Sequence, residues 1–210
     1  MNTLETTRHL MHFPTTPANL GVRFCFVDGS EETFTVNGED NTERMLHMDP
    51  IRLFKHSRIV VADDYSKSVF VCAHINRVDF IYDGDGFARI PPDHADLIEL
   101  TDAEFRAHVP LENVRQMERR TQRRHVGDLI VSFLEVRMSG GSRIYLMNEA
   151  VVKLPVDSQS FMQRFLSGDG LPVRLRGGGH AVINLSNLIG YSVYPGVPEV
   201  SSDTWYLSRK

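Results

Sequence analysis

The sequence has 210 residues, of which 41% are hydrophobic and 24% are charged, and its formal net charge at pH 7 is −4. This length is sufficient for one large domain or two small ones with a real core, and the composition is typical of globular proteins. The slightly acidic balance provides no overall basic field, which argues against bulk attraction to nucleic acid or to a membrane surface.

The sequence also bears on the compartment in which the protein works. No apolar run approaches the roughly 20 residues of a membrane helix, and the first residues lack the apolar segment of a secretory signal. Cys25 and Cys72 both lie in apolar, strand-like runs, which predicts two reduced, buried thiols rather than a disulfide framework. We therefore expect a soluble, cytoplasmic protein with no membrane partner.

The first half of the chain has the pattern of a small β domain. Residues 21–38 alternate apolar and polar side chains around Asp28-Gly29, which predicts a β-hairpin. Asp49-Pro50 then predicts the start of a short helical turn. Two further runs, "RIVVA" and "SVFVCAHI", predict a second hairpin, and "VDFIY" predicts a closing strand. About five short strands and one turn are the content of a small β-barrel or sandwich.

A segment of different composition follows this half. From residue 84 the sequence is rich in Gly, Pro and Asp, which is typical of a linker. Thr101 and Glu104 have the spacing of a capping box for a short helix, and residues 111–125 have a helix-forming composition. We therefore predict a partly helical linker.

The second half repeats this order of elements. "DLIVSFLEVRM", an "SGG" turn and "SRIYLMNEAVVKL" predict a hairpin plus a third strand, and "DSQSFMQRFLSG" predicts a helix. A second hairpin then turns on Gly177, Gly178 and Gly179, and "LIGYSVY" predicts a closing strand. The predicted boundaries are an N-terminal tail at 1–19, a first β domain at 20–83, a linker at 84–125, a second β domain at 126–196 and a C-terminal tail at 197–210.

Two similar stretches indicate how the halves are related. "AHINRVDFIYD" and "AVINLSNLIGY" share four identities at a constant offset, 184 − 76 = 108. With the repeated order of elements, this predicts a mainly β fold of two similar small barrel or sandwich domains that arose by internal duplication. The alternative is chance similarity of short Ile-Asn strands. Asn76 and Asn184 are each predicted to cap a one-turn helix between strands.

The most unusual local feature is the basic run "ERRTQRRH" in the linker. It contains Arg119, Arg120, Arg123 and Arg124, which form two i,i+4 pairs of like charge on a helix. A phosphate-bearing ligand would compensate this repulsion, because guanidinium groups match phosphate oxygens. The alternative is a solvated linker helix whose arginines pair with acidic neighbours. Both interpretations stay open.

Two small β domains joined by a segment with an Arg-x-x-x-Arg motif resemble PilZ-type cyclic-di-GMP receptors, in which that motif clamps the dinucleotide. The second motif of that family, Asp/Asn-x-Ser-x-x-Gly, has its best match at residues 148–153. Asn148 fits, but Ala150 replaces the serine and Lys153 replaces the glycine. The resemblance implies a degenerate receptor in which the four arginines and Asn148 hold a phosphate-bearing ligand.

The stretch "RFCFVDGSEETFTV" resembles the first motif of Sm-like small barrels, a strand, Asp-Gly and a strand. That resemblance implies RNA binding or assembly. Phe24, Phe26 and Phe34 could stack on bases, but their period-two spacing favours a place in the core. The acidic balance disfavours nucleic acid as a partner.

No other pattern predicts a reactive or metal site. Gly177–Gly179, with Arg174, Arg176 and His180 nearby, could form an anion nest, but a hairpin turn is the favoured interpretation. The nine histidines lack the spacing of metal ligands, and no catalytic motif is present. We therefore predict a non-catalytic binding, regulatory or adaptor protein without cofactor or metal. Its expected partner is another protein or a second copy of itself, with a cyclic dinucleotide or, less favoured, RNA as the alternative ligand.

Overall fold

The protein is mainly β. The computed structural model describes residues 20–82 except 47 and 64, residues 97–109, 129–151 and 168–194, and residue 205. The strands are β1 (Leu20–Phe26), β2 (Glu31–Val36), β3 (Arg58–Ala62), β4 (Lys67–Val71), β5 (Ile75–Ile81), β6 (Leu97–Leu100), β7 (Leu129–Met138), β8 (Arg143–Val151), β9 (Gly170–Arg174), β10 (His180–Asn184) and β11 (Leu188–Tyr194). The helices are α1 (Glu39–Leu46) and α2 (Asp102–His108), with short 3-10 helices η1 (Pro50–Lys55), η2 (Cys72–His74), η3 (Ser139–Gly141) and η4 (Leu185–Asn187).

One large sheet contains strands from both halves of the chain. Its nine strands lie in the order β11-β7-β8-β6-β9-β10-β5-β1-β2, and β3 and β4 form a separate two-stranded sheet. The halves meet where β10 pairs antiparallel with β5. Strand β6 lies between two strands of the second half, because it pairs antiparallel with β8 and parallel with β9. The predicted domain boundaries fall outside the described residues and stay predictions.

The same pairing scheme occurs twice along the chain. In the first half β1 pairs with β2 and β5, and in the second half β7 pairs with β8 and β11. The registers agree: Cys25 lies opposite Glu31 and Arg137 opposite Arg143, which gives an offset of 143 − 31 = 112. The hairpin connections agree as well, because the same backbone hydrogen bond is donated by Phe26 to Ser30 and, at the same offset, by Met138 to Ser142.

The remaining strands follow the same scheme. Arg58 lies opposite Val71 and Gly170 opposite Asn184, which gives offsets of 170 − 58 = 112 and 184 − 71 = 113. Both closing strands also contain a register shift at the same point. It falls at Asn76 in β5 and at Ile189 in β11, an offset of 189 − 76 = 113. The counterpart of Asn76 is therefore Ile189, and the counterpart of Asn184 is Val71.

The structure corrects the prediction that both asparagines are helix caps. Asn184 does cap η4, since its side chain accepts a hydrogen bond of 3.0 Å from the backbone N–H of Ser186. Asn76 does not cap η2, whose N-cap residue is Val71 and has no side-chain cap bond. Asn76 lies after that turn, inside β5. The matching Ile-Asn pairs are thus not in equivalent positions.

Several local predictions are confirmed. The hairpins β1–β2, β3–β4 and β9–β10 form where the alternating patterns indicate them. Asp49 caps η1 with Pro50 in its first turn, and Thr101 and Glu104 form a complete capping box on α2.

Other local predictions differ from the structure. "CAH" forms η2 rather than the end of a strand, and "RIYLMNEAV" is one continuous strand. Strand β6 lies in the predicted linker and was not expected. Cys72 is buried as predicted, but Cys25 is half-buried.

The core crosses the contact between the halves. One buried cluster combines residues of β1, β5 and η1 with Val182 of β10. A second combines residues of β6 to β10, and a third places Phe105 of α2 against Phe133 of β7. The burial of Val182 in the first cluster means that the first half is completed by a strand of the second.

Candidate functional site

The contact between β10 and β5, which we call the seam, contains the most deeply buried polar groups of the described residues. The register runs from His180 opposite Phe80 to Ile183 opposite Arg77. The ring of His180 stacks on Phe80 with centroids 4.7 Å apart, and the hydroxyl of Tyr82 lies 3.5 Å from its Nδ1. His180 is 1% exposed. Burial lowers its pKa to about 4, and the charge of Asp79 opposes this only in part.

Two asparagine carboxamides hold η4 against η2 at the end of the seam. Asn184 Nδ2 donates to the carbonyl oxygens of Cys72 and Ile75 at 2.9 Å each. Asn187 Nδ2 donates to the carbonyls of Ala73 at 3.1 Å and of Ile75 at 2.9 Å. Both residues are buried, so these bonds satisfy backbone groups that water cannot reach.

The hairpin connection of the second half contacts the first half beside the seam. Asn76 Nδ2 donates to the carbonyl of Ser139 at 2.8 Å and to Ser142 Oγ at 3.2 Å. Gly140 has φ of 80°, and a Cβ at this position would overlap the carbonyl oxygen of Val27. Only glycine allows this close approach with that backbone conformation.

A buried charge network lies across the strands on either side of the seam. Asp79 is fully buried and accepts hydrogen bonds from Arg23 at 2.6 Å and from Arg77 at 2.5 Å. Arg77 also donates to Glu99 of β6 at 2.5 Å. Burial alone would lower the pKa of Arg77, but the hydrogen bonds and charges of Asp79 and Glu99 outweigh it and raise that pKa. The carboxylates are thus engaged with the guanidinium groups.

The surroundings of both thiols raise their pKa, although the charges of Arg77 and Arg23 oppose this in part at Cys25. Burial, with the charge of Asp79, raises the pKa of Cys25 to about 12, and burial also raises the pKa of Cys72. Both side chains therefore stay protonated at neutral pH, whereas a nucleophilic cysteine is a thiolate.

Four strands of the described part of the chain have an unpaired edge, namely β2, β3, β4 and β11. Exposed apolar side chains concentrate on the β3–β4 hairpin and on β11. Among the described strands, β4 pairs only with β3 and β11 pairs only with β7. We call the unpaired side of β4 the hairpin edge and that of β11 the terminal edge. Most of the exposed large hydrophobic side chains lie on these two elements or beside them: Val60, Tyr65, Val69 and Val71 in the β3–β4 hairpin, and Ile189 and Tyr191 in β11.

No protein-family model, curated protein or solved structure matches this chain.

The predicted anion-binding residues are divided between described and undescribed parts of the chain. Arg119, Arg120, Arg123 and Arg124 lie outside the described residues. Asn148 lies in β8 and is 2% exposed. Its Nδ2 donates to Ser132 Oγ at 3.5 Å, and its Oδ1 has no hydrogen-bond partner among the residues that the structure describes. A phosphate-binding role for this set stays a prediction.

The aromatic residues considered for base stacking and the glycines considered for an anion nest have structural roles. Phe24 stacks on Phe70 with centroids 4.8 Å apart, and Phe26 and Phe34 also pack against Phe70, so the prediction that these rings belong to the core is confirmed. The glycines at 177–179 belong to the β9–β10 turn, where Arg176 forms an ion pair with Glu104.

The described residues contain neither a cluster of metal ligands nor a membrane-spanning helix. None of these residues form a group of three or more that could hold a metal ion. No helix in the described ranges is long and apolar enough to cross a membrane.

Signals for the seam were present in the sequence but were weak. The stretches "INLSN" and "HIN" contain Asn184, Asn187 and Asn76, yet nothing local indicates that their amides bind carbonyls from the other half of the chain.

Proposed function

We propose that this chain is a non-catalytic binding protein of the adaptor or assembly type, which binds protein partners on the hairpin edge and the terminal edge. The observation that carries this proposal is the placement of exposed apolar side chains on unpaired strands. Val69 is 51% exposed and Ile189 is 65% exposed. An unpaired edge offers backbone donors and acceptors to an incoming strand, and apolar side chains beside it gain from burial.

The polar groups of the seam support a structural rather than a reactive role. Arg77 donates to both Asp79 and Glu99, and the amides of Asn184 and Asn187 donate to backbone carbonyls. A rigid seam holds the two edges at fixed positions relative to each other. This suits a protein that joins partners.

We further propose that the two halves arose by duplication of one small β unit. The support is the recurrence of strand registers and of the register shift at nearly the same offset, 112 or 113, along the chain. A unit that already binds a copy of itself through strand pairing has a ready mode for binding further proteins.

Site-specific photo-crosslinking in the cells that make the protein tests the proposed function. A photoreactive residue is placed at Val69 or Ile189, with exposed Arg44 of α1 as the matched control. We expect adducts of defined mass with a polypeptide at the two edge positions and none at Arg44. Edge positions that label no more protein than Arg44 would overturn the proposal.

A further inference from the structure

We propose that copies of this chain associate head to tail, with β4 of one copy pairing antiparallel with β11 of the next. This inference rests on the proposed function and names the partner of the same two edges. The inference follows from the repeated pairing scheme. In that scheme β4 and β11 correspond to two strands that already pair with each other inside the chain.

The hairpin edge and the terminal edge are the counterparts of the two strands that form the seam. Strand β4 corresponds to β10 and β11 corresponds to β5, because the registers of the surrounding strands agree at an offset of 112 or 113. Strands β10 and β5 pair with each other inside the chain. Each copy therefore contains one complete joint of this kind and the two separate sides of another.

The seam also gives the register of the proposed joint. Val182 lies opposite Val78, and their counterparts are Val69 (182 − 113) and Tyr191 (78 + 113). The proposed joint therefore places Val69 directly opposite Tyr191 of the next copy.

Burial at these positions supports the correspondence. Val182 and Val78 are 0% and 1% exposed in the seam, whereas Val69 is 51% exposed and Tyr191 is 39% exposed. The positions that are apolar and buried in the complete joint are thus apolar and uncovered at the free edges. Pairing of β4 with β11 would remove these side chains from water.

A second contact of the seam has an apolar counterpart. Asn76 donates to Ser139 across the seam, and the counterparts of these residues are Ile189 (76 + 113) and Val27 (139 − 112). Ile189 is the most exposed large aliphatic side chain of the described residues. In the proposed joint Ile189 of the next copy meets Val27 of the copy that supplies β4, and Val27 is half-buried.

Other counterparts make the proposed joint weaker than the seam. The counterpart of Asn184 is Val71 (184 − 113), and the counterpart of Asn187 is His74 (187 − 113). The carboxamides that bind η2 in the seam are therefore absent from the proposed joint. Asp28 (140 − 112) replaces the glycine that allows close approach of the hairpin connection. We therefore expect reversible association that depends on protein concentration.

The joint is heterologous, because β4 and β11 are different surfaces of one chain. Such an interface forms a closed ring if the rotation between copies closes, and an open fibre if it does not. An open row of copies always keeps one free edge of each kind, so assembly ends only where a ring closes.

Disulfide trapping between single-cysteine variants tests the pairing and its direction. Both variants are made with Cys25→Ala and Cys72→Ala, so that the new thiol is the only one, and this background is first shown to sediment as wild type does. Oxidation of a mixture of Val69→Cys and Tyr191→Cys should give a covalent dimer, since opposed strand residues lie about 4.5 to 5.5 Å apart, within disulfide reach. Neither variant alone should do so.

The matched control replaces Tyr191→Cys by Ser192→Cys, whose side chain points to the other face of the strand. Efficient trapping of Val69→Cys with Ser192→Cys, or of Val69→Cys with itself, would overturn the proposed joint. Sedimentation velocity of the wild-type protein should show mass that increases with concentration. A strict monomer at millimolar concentration would also overturn it.

The two proposals fail in distinguishable ways. If Val69 and Ile189 crosslink to a different polypeptide while the purified protein is a monomer, head-to-tail assembly is wrong and the edge-binding function stands. If the edges crosslink to nothing and the protein is a monomer, both are wrong.

Discussion

At the scale of single residues, the asparagines of the seam determine how the two halves meet. A carboxamide that donates to two buried carbonyl oxygens replaces the water that those groups would otherwise bind. Asn184 is the central case, because its Nδ2 binds Cys72 and Ile75 of the other half while its Oδ1 caps η4. One side chain thus orders its own turn and the neighbouring one.

Replacement of Asn184 tests this double role. Asn184→Ala removes the η4 cap and one donor from each of two buried carbonyls, although Asn187 still donates to Ile75 and the backbone N–H of Ile75 still donates to Cys72. We expect a loss of about 1 to 3 kcal/mol in the free energy of unfolding. Asn184→Asp keeps the cap acceptor but places a carboxylate against two carbonyl oxygens, so it should cost more than Asn184→Ala. Urea denaturation of the two variants measures the difference. If the aspartate variant is the more stable one, the bonds to Cys72 and Ile75 do not stabilise the seam.

His180 makes the seam sensitive to acid. Its pKa is about 4 in the folded protein because the ring is buried, against about 6.5 in the unfolded chain. Above pH 6.5 the ring is neutral in both states and has no effect. Between pH 6.5 and 4 the unfolded state binds the proton and the folded state does not, so stability falls as the pH falls.

Protonation of His180 should lower the free energy of unfolding by at most about 3 kcal/mol between pH 6.5 and 4, at about 1.4 kcal/mol per unit of pKa difference. The free energy of unfolding measured at steps from pH 7 to 4 gives the slope, and His180→Leu is the matched variant. Carboxylates such as Asp79 add their own slope in both proteins, so the difference between the two slopes isolates the histidine. Equal slopes would show that His180 is not buried in its neutral form.

At the scale of elements, local sequence pattern predicts hairpins and helix starts well. The β1–β2 and β9–β10 hairpins depend on alternation and on glycine-containing turns, which are properties of adjacent residues. The capping box at Thr101 is equally local. Strand β6 has only four residues and pairs with β8 and β9, which lie far away in sequence, so no local signal distinguishes it from linker.

The relation between the halves shows where sequence comparison of short stretches fails. Identical residues suggest an offset of 108, but strand pairing gives 112 and 113. Ile-Asn pairs recur because alternating strands draw on few residue types, whereas register is fixed by the partner strand. The proposed binding edges could not be predicted from the sequence for the same reason. Their residues are recognised as edge residues only when the pairing of β4 and β11 is known.

The hairpin connection at η3 offers a matched pair of glycines. Gly140 and Gly141 both have positive φ, so alanine is strained at either. A Cβ at Gly140 would also overlap the Val27 carbonyl, whereas a Cβ at Gly141 meets nothing within 4 Å. We expect Gly140→Ala to destabilise the fold by at least about 1 to 2 kcal/mol more than Gly141→Ala. Equal thermal midpoints for the two variants would contradict this close approach.

At the scale of the whole molecule, the halves depend on each other for buried surface. Val182 of β10 completes the core of the first half, and Arg77 of β5 binds Glu99 of β6. A first half alone would expose the paired edge of β5 and leave Asp79 and Arg77 partly in contact with water. The same seam that joins the two halves into one sheet therefore makes each half depend on the other for its buried surface.

Separate production of the two halves, divided between residues 83 and 96, tests this dependence. We expect residues 1–89 alone to be aggregated or poorly folded, and the two halves to form a soluble one-to-one complex when produced together. The Asn184→Asp variant of the second half should weaken that complex, because it removes donors to η2. Gel filtration and circular dichroism measure both results. If each half instead folds alone as a stable monomer and does not bind the other, the seam is not required for folding. The seam would then not hold the hairpin edge and the terminal edge at fixed positions, and an assembly could not depend on it.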